Sequence, residues 1–244
     1  EKERMFIEAA NALMVGFDRE KVLTQYERLV AKYPREKRAY FYLGATNFFL
    51  DSYDEAINAL GRALDLDPHY ADSVNMIAYC YAEKGEHEKA VEYFERYVAL
   101  APGQANPHDS LADAYFQMGR LEESLAEYEE ALRIKPDFIT HWKIAYTHAL
   151  KEEYSEVVKW IDLSIDVAAV PGLKALGHFW KGFYLYWLGD KDGSLDELER
   201  AEALAKHWRR YVGGGRLIDA DGAATVTVSF PFVGGPPTQP LRGN

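Results

Sequence analysis

Residues 64–102 read LDLDPHYADSVNMIAYCYAEKGEHEKAVEYFERYVALAP, a stretch that begins and ends in the same way. At each end a short apolar run is closed by a proline, first Pro68 and then Pro102. Pro34 and Pro136 extend the series, so four prolines recur at one constant interval. The interval is 34 residues, which predicts a repeating unit of 34 residues. Because proline lacks a backbone donor and its ring cannot continue a helix, the last helix of each unit is predicted to end before the proline.

Aligning the four units on their prolines places similar residues in the same columns. The column twenty-four positions before the proline holds only small residues, Ala10, Gly44, Ala78 and Ala112. The column eight positions before it holds large ones, Tyr26, Leu60, Phe94 and Tyr128. Apolar residues within a unit recur three or four positions apart, and a polar break with Gly85 or Gly119 divides the later units. Each unit is therefore predicted to be a helix hairpin, close-packed at the small residues and filled by the large ones.

Two further copies follow with altered spacing. Residues 141–171 form a fifth copy with Trp142 in the aromatic column, and the turn between its helices is predicted to be one residue shorter. Residues 179–205 form a sixth copy, with Gly182 in the small-residue column and Gly189 at the turn.

The pattern in residues 39–68, AYFYLGATNFFLDSYDEAINALGRALDLDP, resembles the tetratricopeptide repeat, with its aromatic residue, Leu-Gly, small residues and closing Pro. The resemblance covers roughly residues 3–210 and implies an all-α fold, a right-handed solenoid of antiparallel helix hairpins. Six repeats are expected in a domain of residues 1–211, at 3–36, 37–70, 71–104, 105–138, 139–172 and 173–211. The resemblance also implies that the first helix of each hairpin lines an inner, concave surface.

The last residues depart from this pattern. Residues 212–244 are a Gly- and Pro-rich, predominantly irregular tail, in which residues 224–230 alternate polar and apolar side chains as a β-strand does. The tail either folds back over the end of its own solenoid, docks on a neighbouring molecule, or is held only weakly. The candidates for self-association are its apolar residues, Val226, Val228, Phe230 and Phe232.

Composition and charge limit the classes of partner that the sequence favours. With 28 Lys and Arg against 39 Asp and Glu, the net charge is −11, which disfavours nucleic acid and anionic membranes. No run of 18 apolar residues predicts a membrane span, and the aromatic neighbours of the single cysteine, Cys80, predict a buried thiol. A soluble protein is expected, cytoplasmic by default. Because residue 1 is Glu and not Met, a processed secreted form or a fragment of a longer protein stays open.

Motifs for catalysis or metal binding are incomplete. His141 and His148 are seven residues apart, but HExxH does not occur and further ligands at suitable spacing are missing. DADG at 219–222 lacks the remaining ligands of a calcium loop, and GGG at 213–215 lacks the Lys-Ser/Thr of a phosphate loop. No nucleophile signature such as GxSxG occurs. The sequence therefore predicts no enzyme, no metal site and no cofactor.

The candidate site lies on the inner surface that the resemblance implies. Nine residues of the first helices are expected to face it and to bind a partner: Phe41, Phe48, Tyr79, Asp109, Asp113, Phe116, Phe179, Phe183 and Tyr186. Aromatic residues with a few carboxylates suit an extended peptide that is apolar or basic. One subgroup of the resembled family captures a C-terminal carboxylate with Lys, Asn and Arg. Only Asn11 fits that set here, so this ligand is not expected.

Three functions stay open on the sequence. The first is a non-catalytic scaffold that binds an extended peptide or partner segment in its groove. The second is a self-assembling structural subunit, an oligomer or filament built by end stacking and by the tail, since a head-to-tail contact that does not close makes a filament. The third is a regulatory segment of a larger signalling protein. The partner in each case is a protein or peptide.

Overall fold

The computed structural model describes the backbone of residues 1–16 and 19–211 and the side chains of residues 1–12 and 19–205. This part of the chain forms twelve helices: α1 (Lys2–Gly16), α2 (Arg19–Lys32), α3 (Lys37–Phe48), α4 (Tyr53–Leu66), α5 (Ala71–Glu83), α6 (His87–Leu100), α7 (Ala105–Gln117), α8 (Leu121–Ile134), α9 (His141–Leu150), α10 (Tyr154–Val167), α11 (Pro171–Trp187) and α12 (Lys191–Tyr211). It contains no strand, and the predicted all-α fold is confirmed. The predicted tail, with its candidate strand at 224–230 and its self-association residues, lies outside the described residues.

Consecutive helices pair into six hairpins that stack in chain order. The first helix of each hairpin packs against the second, from α1 with α2 to α11 with α12. Each second helix also packs against the first helix of the next hairpin, as α4 does on α5 and α6 does on α7. The fold is a solenoid whose apolar core continues from hairpin to hairpin, because a single hairpin cannot bury both of its faces.

The core follows the predicted columns of the second helices. The large column is buried throughout the first four hairpins, at Tyr26, Leu60, Phe94 and Tyr128. Phe94 of α6 packs with Ala78 of its own hairpin and with Leu111 and Ala114 of α7. Each large side chain therefore fills the space between its own hairpin and the next one, which is why the period carries a large residue at this position.

Each of five hairpin turns contains one residue in the left-handed backbone region. The φ angles are 57° at Asp51, 74° at Gly85, 72° at Gly119, 60° at Glu152 and 87° at Gly189. At Gly119 the turn closes with two backbone hydrogen bonds of 2.9 Å, from its own amide to the Phe116 carbonyl and from the Arg120 amide to the Tyr115 carbonyl. Glycine suits this position because it has no Cβ to clash in the left-handed conformation.

The turn of the fifth hairpin differs from its predicted length. Its turn keeps the ordinary length, because Glu152 stands seven residues after the buried Ala145, as Gly119 does after Ala112. The missing residue lies between α8 and α9, since α9 begins only four residues before Ala145 while α7 begins seven before Ala112. The predicted shorter turn was wrong: the residue is lost before the helix, since Ala145 stands nine positions after Pro136 while Ala112 stands ten after Pro102.

The first hairpin departs from the alignment by one position. Ala9 is fully buried, while Ala10, the predicted small residue of the close contact, is exposed. The buried Val22 stands thirteen positions after Ala9, whereas Ala56 stands twelve positions after Gly44. Pro34 sets the register of α2 alone, so one extra residue between the helices was enough to shift α1.

The first helices differ in length towards the end of the stack. α3, α5 and α7 have 12 or 13 residues, α9 has 10 and α11 has 17. Pro171 begins α11, a position where its missing N–H has no intrahelical partner to lose. Across the described residues, no helix combines the length and apolar character that crossing a membrane requires.

Candidate binding surface on the first helices

The nine predicted site residues fall in three columns of the first helices. Counted from the small residue of each hairpin, Phe41, Asp109 and Phe179 stand three positions before it, Tyr79, Asp113 and Phe183 one after it, and Phe48, Phe116 and Tyr186 four after it. Positions separated by four and by three lie on the same side of an α-helix. The three columns therefore form one strip on every first helix, which we call the first-helix face.

An ionic cluster lies at the centre of this face. Lys143 of α9 reaches back to α7, where its Nζ lies 2.8 Å from Asp109 Oδ2 and 2.7 Å from Asp113 Oδ2. Thr140 donates a hydrogen bond of 2.6 Å to the other oxygen of Asp109, and Tyr128 donates one to Asp113. We call Lys143, Asp109 and Asp113 the Lys143 cluster; two carboxylates and one ammonium give it a formal charge of −1.

Burial governs the protonation of this cluster. Its three side chains are only 12–18% exposed. Burial raises the pKa of the Asp113 carboxyl above its ordinary value, although Lys143 opposes the shift. Burial also works against a charged Lys143, yet the two carboxylates outweigh it and raise the pKa of that ammonium. The structure thus brings Asp109 and Asp113 together, and it uses them first as internal partners of a lysine.

Some of the predicted site residues are packed between neighbouring hairpins and are only partly exposed. The Tyr79 hydroxyl lies 2.9 Å from Ser110 Oγ, which joins α5 directly to α7, and its ring meets Phe94 edge-on with centroids 5.0 Å apart. Phe41 and Phe48 are half-buried against the core cluster that contains Leu60. These three residues hold neighbouring hairpins together and offer a partner only part of their rings.

A group of partly exposed aromatic residues lies beside the Lys143 cluster. Phe116 of α7 and Tyr146 of α9 have ring centroids 5.6 Å apart, and Trp142 is 38% exposed. These residues line a shallow groove together with Tyr128 and Lys143. We call Phe116, Trp142 and Tyr146 the aromatic patch. Trp142 and Tyr146 were not among the predicted site residues, although they stand three before and one after Ala145 and so belong to the same columns.

The remaining candidates lie at the last hairpin. Phe179 and Tyr186 of α11 are 46% and 61% exposed, and Phe183 packs edge-on against Trp180 with centroids 5.8 Å apart. They share the columns of the aromatic patch but lie two hairpins beyond α7. The nine candidates therefore form no single pocket: the described residues group them into packed, central and terminal sets.

Four of the described histidines have partners within the fold. His148 Nδ1 lies 2.6 Å from Glu153, and His108 and His178 each pair with a glutamate of the second helix in their own hairpin. His141 packs against Trp160, and burial lowers the pKa of its imidazole. Among the described side chains, no group of three or more His, Cys, Asp or Glu is placed to hold a metal ion.

Known proteins share both the repeat and the fold. Residues 48–105 match the family described as Tetratricopeptide repeat, and residues 112–151 match the one described as TPR repeat. Anaphase-promoting complex subunit 3 of Schizosaccharomyces pombe is 23% identical over 153 residues, which cover 63% of this chain and 23% of that protein. The matched curated relatives are covered over only 10–24% of their own lengths.

Two solved structures illustrate the likeness in fold. The structure of pilF from Pseudomonas aeruginosa has a TM-score of 0.65 and 16% identity, covering 88% of this chain and 93% of that one. YrrB, described as a TPR protein with an unusual peptide-binding site, has a TM-score of 0.55 and 14% identity, covering 76% of this chain and 97% of that one. At such identities the two structures speak for the fold alone.

Proposed function

Since this chain is a tetratricopeptide repeat protein, we propose that it is a non-catalytic scaffold that binds an extended segment of a partner protein along its first-helix face. Proteins built from these repeats are typically non-catalytic binding scaffolds, and the twelve described helices correspond to about six repeats. The peptide-binding site named for YrrB belongs to that protein; it supports the proposal by likeness of fold.

The observation that carries the proposal is the aromatic patch. Trp142 is partly exposed at a shallow groove, and Phe116 and Tyr146 support it from two adjacent first helices. Tryptophan and tyrosine dominate the residues that carry most of the energy in protein interfaces, because their large rings bury much apolar area with little loss of side-chain freedom. A partner side chain laid against Trp142 would gain this contact.

The negative charge near the aromatic patch favours a partner segment that carries positive charge. The Lys143 cluster is one unit negative beside the patch, and the whole chain carries −11. A cationic group placed over an aromatic ring near carboxylates is attracted by both. We therefore expect the bound segment to combine an apolar anchor with a nearby Arg or Lys, and the affinity to fall as salt screens the charges.

Selection of a random peptide library on the intact chain, followed by calorimetry, tests the proposal. Selected peptides are expected to be enriched in Arg or Lys next to an apolar residue. Trp142→Ala is expected to weaken their binding by about tenfold or more, the loss that truncation of an interface tryptophan commonly produces. Circular dichroism checks that the variant keeps its helix content.

Leu163→Ala supplies the matched control. Leu163 is a large apolar side chain on the second helix α10 and is 45% exposed, so truncating it removes comparable exposed surface away from the first-helix face. Its effect on binding is expected to stay within about twofold. Peptides that bind Trp142→Ala as tightly as the natural chain would place the partner elsewhere and refute the proposal.

A further inference from the structure

The last hairpin exposes two side chains more than its predecessors expose the residues in the same columns. Leu60, Phe94, Tyr128 and Ile161 occupy one column of the second helices at exposed fractions of 0%, 1%, 2% and 6%, but Leu198 in the same column of α12 is 37% exposed. Three positions earlier, Val91 and Leu125 are 8% and 9% exposed and Ile57 and Val158 are partly buried, while Leu195 is 58% exposed. The increase in exposure occurs in two columns that still hold apolar residues. It therefore results from a missing packing neighbour and not from a different residue pattern in α12.

In the inner hairpins the next first helix supplies that neighbour. Val91 and Phe94 of α6 pack with Leu111 and Ala114 of α7, and Ile161 of α10 packs with Trp180 of α11. The described residues place no further helix against α12. Leu195 and Leu198 therefore stand where the next hairpin would dock.

The first helix of the last hairpin adds to the same surface. Asp109 and Phe116 of α7 each meet a residue of the following first helix, Lys143 and Tyr146. Phe179 and Tyr186 hold these two columns on α11, and both are largely exposed. We call Phe179, Tyr186, Leu195 and Leu198 the end face. Solenoids usually close such an end with a polar outer surface, which this hairpin lacks at these four positions.

We propose that the end face is covered by the chain's own tail, residues 224–233, which lie outside the described structure. The segment reads ATVTVSFPFV and alternates apolar side chains at Val226, Val228 and Phe230 with polar ones at Thr225, Thr227 and Ser229. No charged residue occurs from 222 to 241, so the segment desolvates no charge when it covers apolar surface.

The tether reaches far enough. Leu195 stands sixteen positions before Tyr211, where α12 ends, so the tail must return about 24 Å along the helix. Val228 stands seventeen positions beyond Tyr211, and an extended chain of that length spans up to about 56 Å. A tether this short holds the segment at a high effective concentration, which favours the chain's own end face over that of a second copy.

Thiol accessibility in the full-length chain tests the proposal. Leu198→Cys places a thiol on the end face, and Asp196→Cys places one on the outer side of the same helix as a control. The native Cys80 stays silent, because it is buried and its pKa is raised to about 12 by that burial. Ellman's reagent is expected to react with the thiol of Leu198→Cys about tenfold more slowly than with that of Asp196→Cys, since reaction at the end face requires the tail to open.

Charge substitutions in the tail then identify what protects the thiol. Val226→Asp, Val228→Asp and Phe230→Asp together are expected to remove the protection of the thiol at position 198. The matched set Thr225→Asp, Thr227→Asp and Ser229→Asp adds the same charge on the alternate positions and is expected to leave it in place.

Three outcomes overturn the proposal. Equal reaction rates at positions 198 and 196 would show that nothing covers the end face. Equal effects of the two aspartate sets would show that the apolar positions do not make the contact. Protection that grows with protein concentration, together with a rising mass in light scattering, would assign the contact to a neighbouring copy.

Discussion

A single lysine sets the electrostatics at the centre of the first-helix face. Lys143 bridges Asp109 and Asp113 from the neighbouring hairpin, and all three side chains are largely removed from water. Removing charged groups from water is costly, and a buried pair compensates for that cost only while both partners are present. The cluster thus ties α9 to α7 and makes the two aspartates dependent on one ammonium.

Replacing Lys143 by methionine tests that dependence. Lys143→Met keeps the length of the side chain but leaves two buried carboxylates without a cation, and we expect the free energy of unfolding to fall by about 3–5 kcal/mol at pH 7. The deficit should shrink as the pH is lowered, because a protonated carboxyl needs no cation. Urea titrations at several pH values measure both effects.

Lys159→Met is the control at the surface. Lys159 is 67% exposed and pairs with Glu156 on the same helix. Such pairs contribute about 0–1 kcal/mol, so this variant should unfold almost like the natural chain. Equal losses in the two variants would contradict the internal role of Lys143.

Single residues also mark the limit of what the sequence predicts. Asp109 and Asp113 stand four positions apart on α7, so the sequence places both on one side of that helix. Their partner Lys143 is 34 and 30 positions away, and charge pairing across that distance follows only once the hairpins are stacked in register. Trp142 and Tyr146 stand in the same columns as the predicted residues and could have been predicted by the same reasoning.

At the scale of helices, the hairpins depend on close approach at one small residue. A Cβ placed on Gly44 of α3 would lie 2.5 Å from Leu60 Cγ and 3.1 Å from the Ala56 carbonyl oxygen. Leu60 is fully buried and the Ala56 oxygen belongs to the backbone, so neither moves aside easily. The absence of a side chain at Gly44 therefore sets how closely α3 and α4 pack.

Two glycine substitutions separate close packing from helix propensity. Gly44→Ala is expected to lower the free energy of unfolding by about 1–3 kcal/mol through overpacking. Gly61→Ala on α4 meets nothing within 4 Å and is expected to raise it by up to about 1 kcal/mol, the usual gain of alanine over glycine in a helix. Chemical denaturation measures both. A stabilising Gly44→Ala would show that α3 and α4 can separate freely.

Helix pairing was predictable from the prolines, and its exceptions have one cause. The period correctly placed the buried columns of the second helices, because each proline follows its helix at a fixed distance. It misplaced Ala10 and the fifth turn, because insertions and deletions between helices change the register of the first helices without moving a proline. Helix propensity does not indicate which loop between helices contains a single-residue insertion or deletion.

At the scale of the whole molecule, stability depends on neighbours. Each inner hairpin packs against one before it and one after it, whereas the last described hairpin packs against α10 alone. In such a stack the total stability is approximately the sum of the hairpins and of the interfaces between them, so the ends open more readily than the middle.

Hydrogen exchange along the native chain checks this expectation. Amides of α5 to α8 are expected to exchange about tenfold or more slowly than those of α11 and α12, after correction for intrinsic rates, because opening them breaks two interfaces and not one. Mass spectrometry of peptic fragments gives the required resolution. Uniform protection across all helices would show that the chain opens as one cooperative unit.

The end face has a consequence for how the length of such a molecule is determined. The contacts between hairpins determine how the next hairpin packs, but they do not determine how many hairpins the stack contains. Leu195 and Leu198 occupy the same columns as the residues that pack against the next hairpin elsewhere, so the packing alone would accept further hairpins without limit. Size is then specified by whatever terminates the series, and engineering a longer or shorter array becomes a problem of rewriting that terminator.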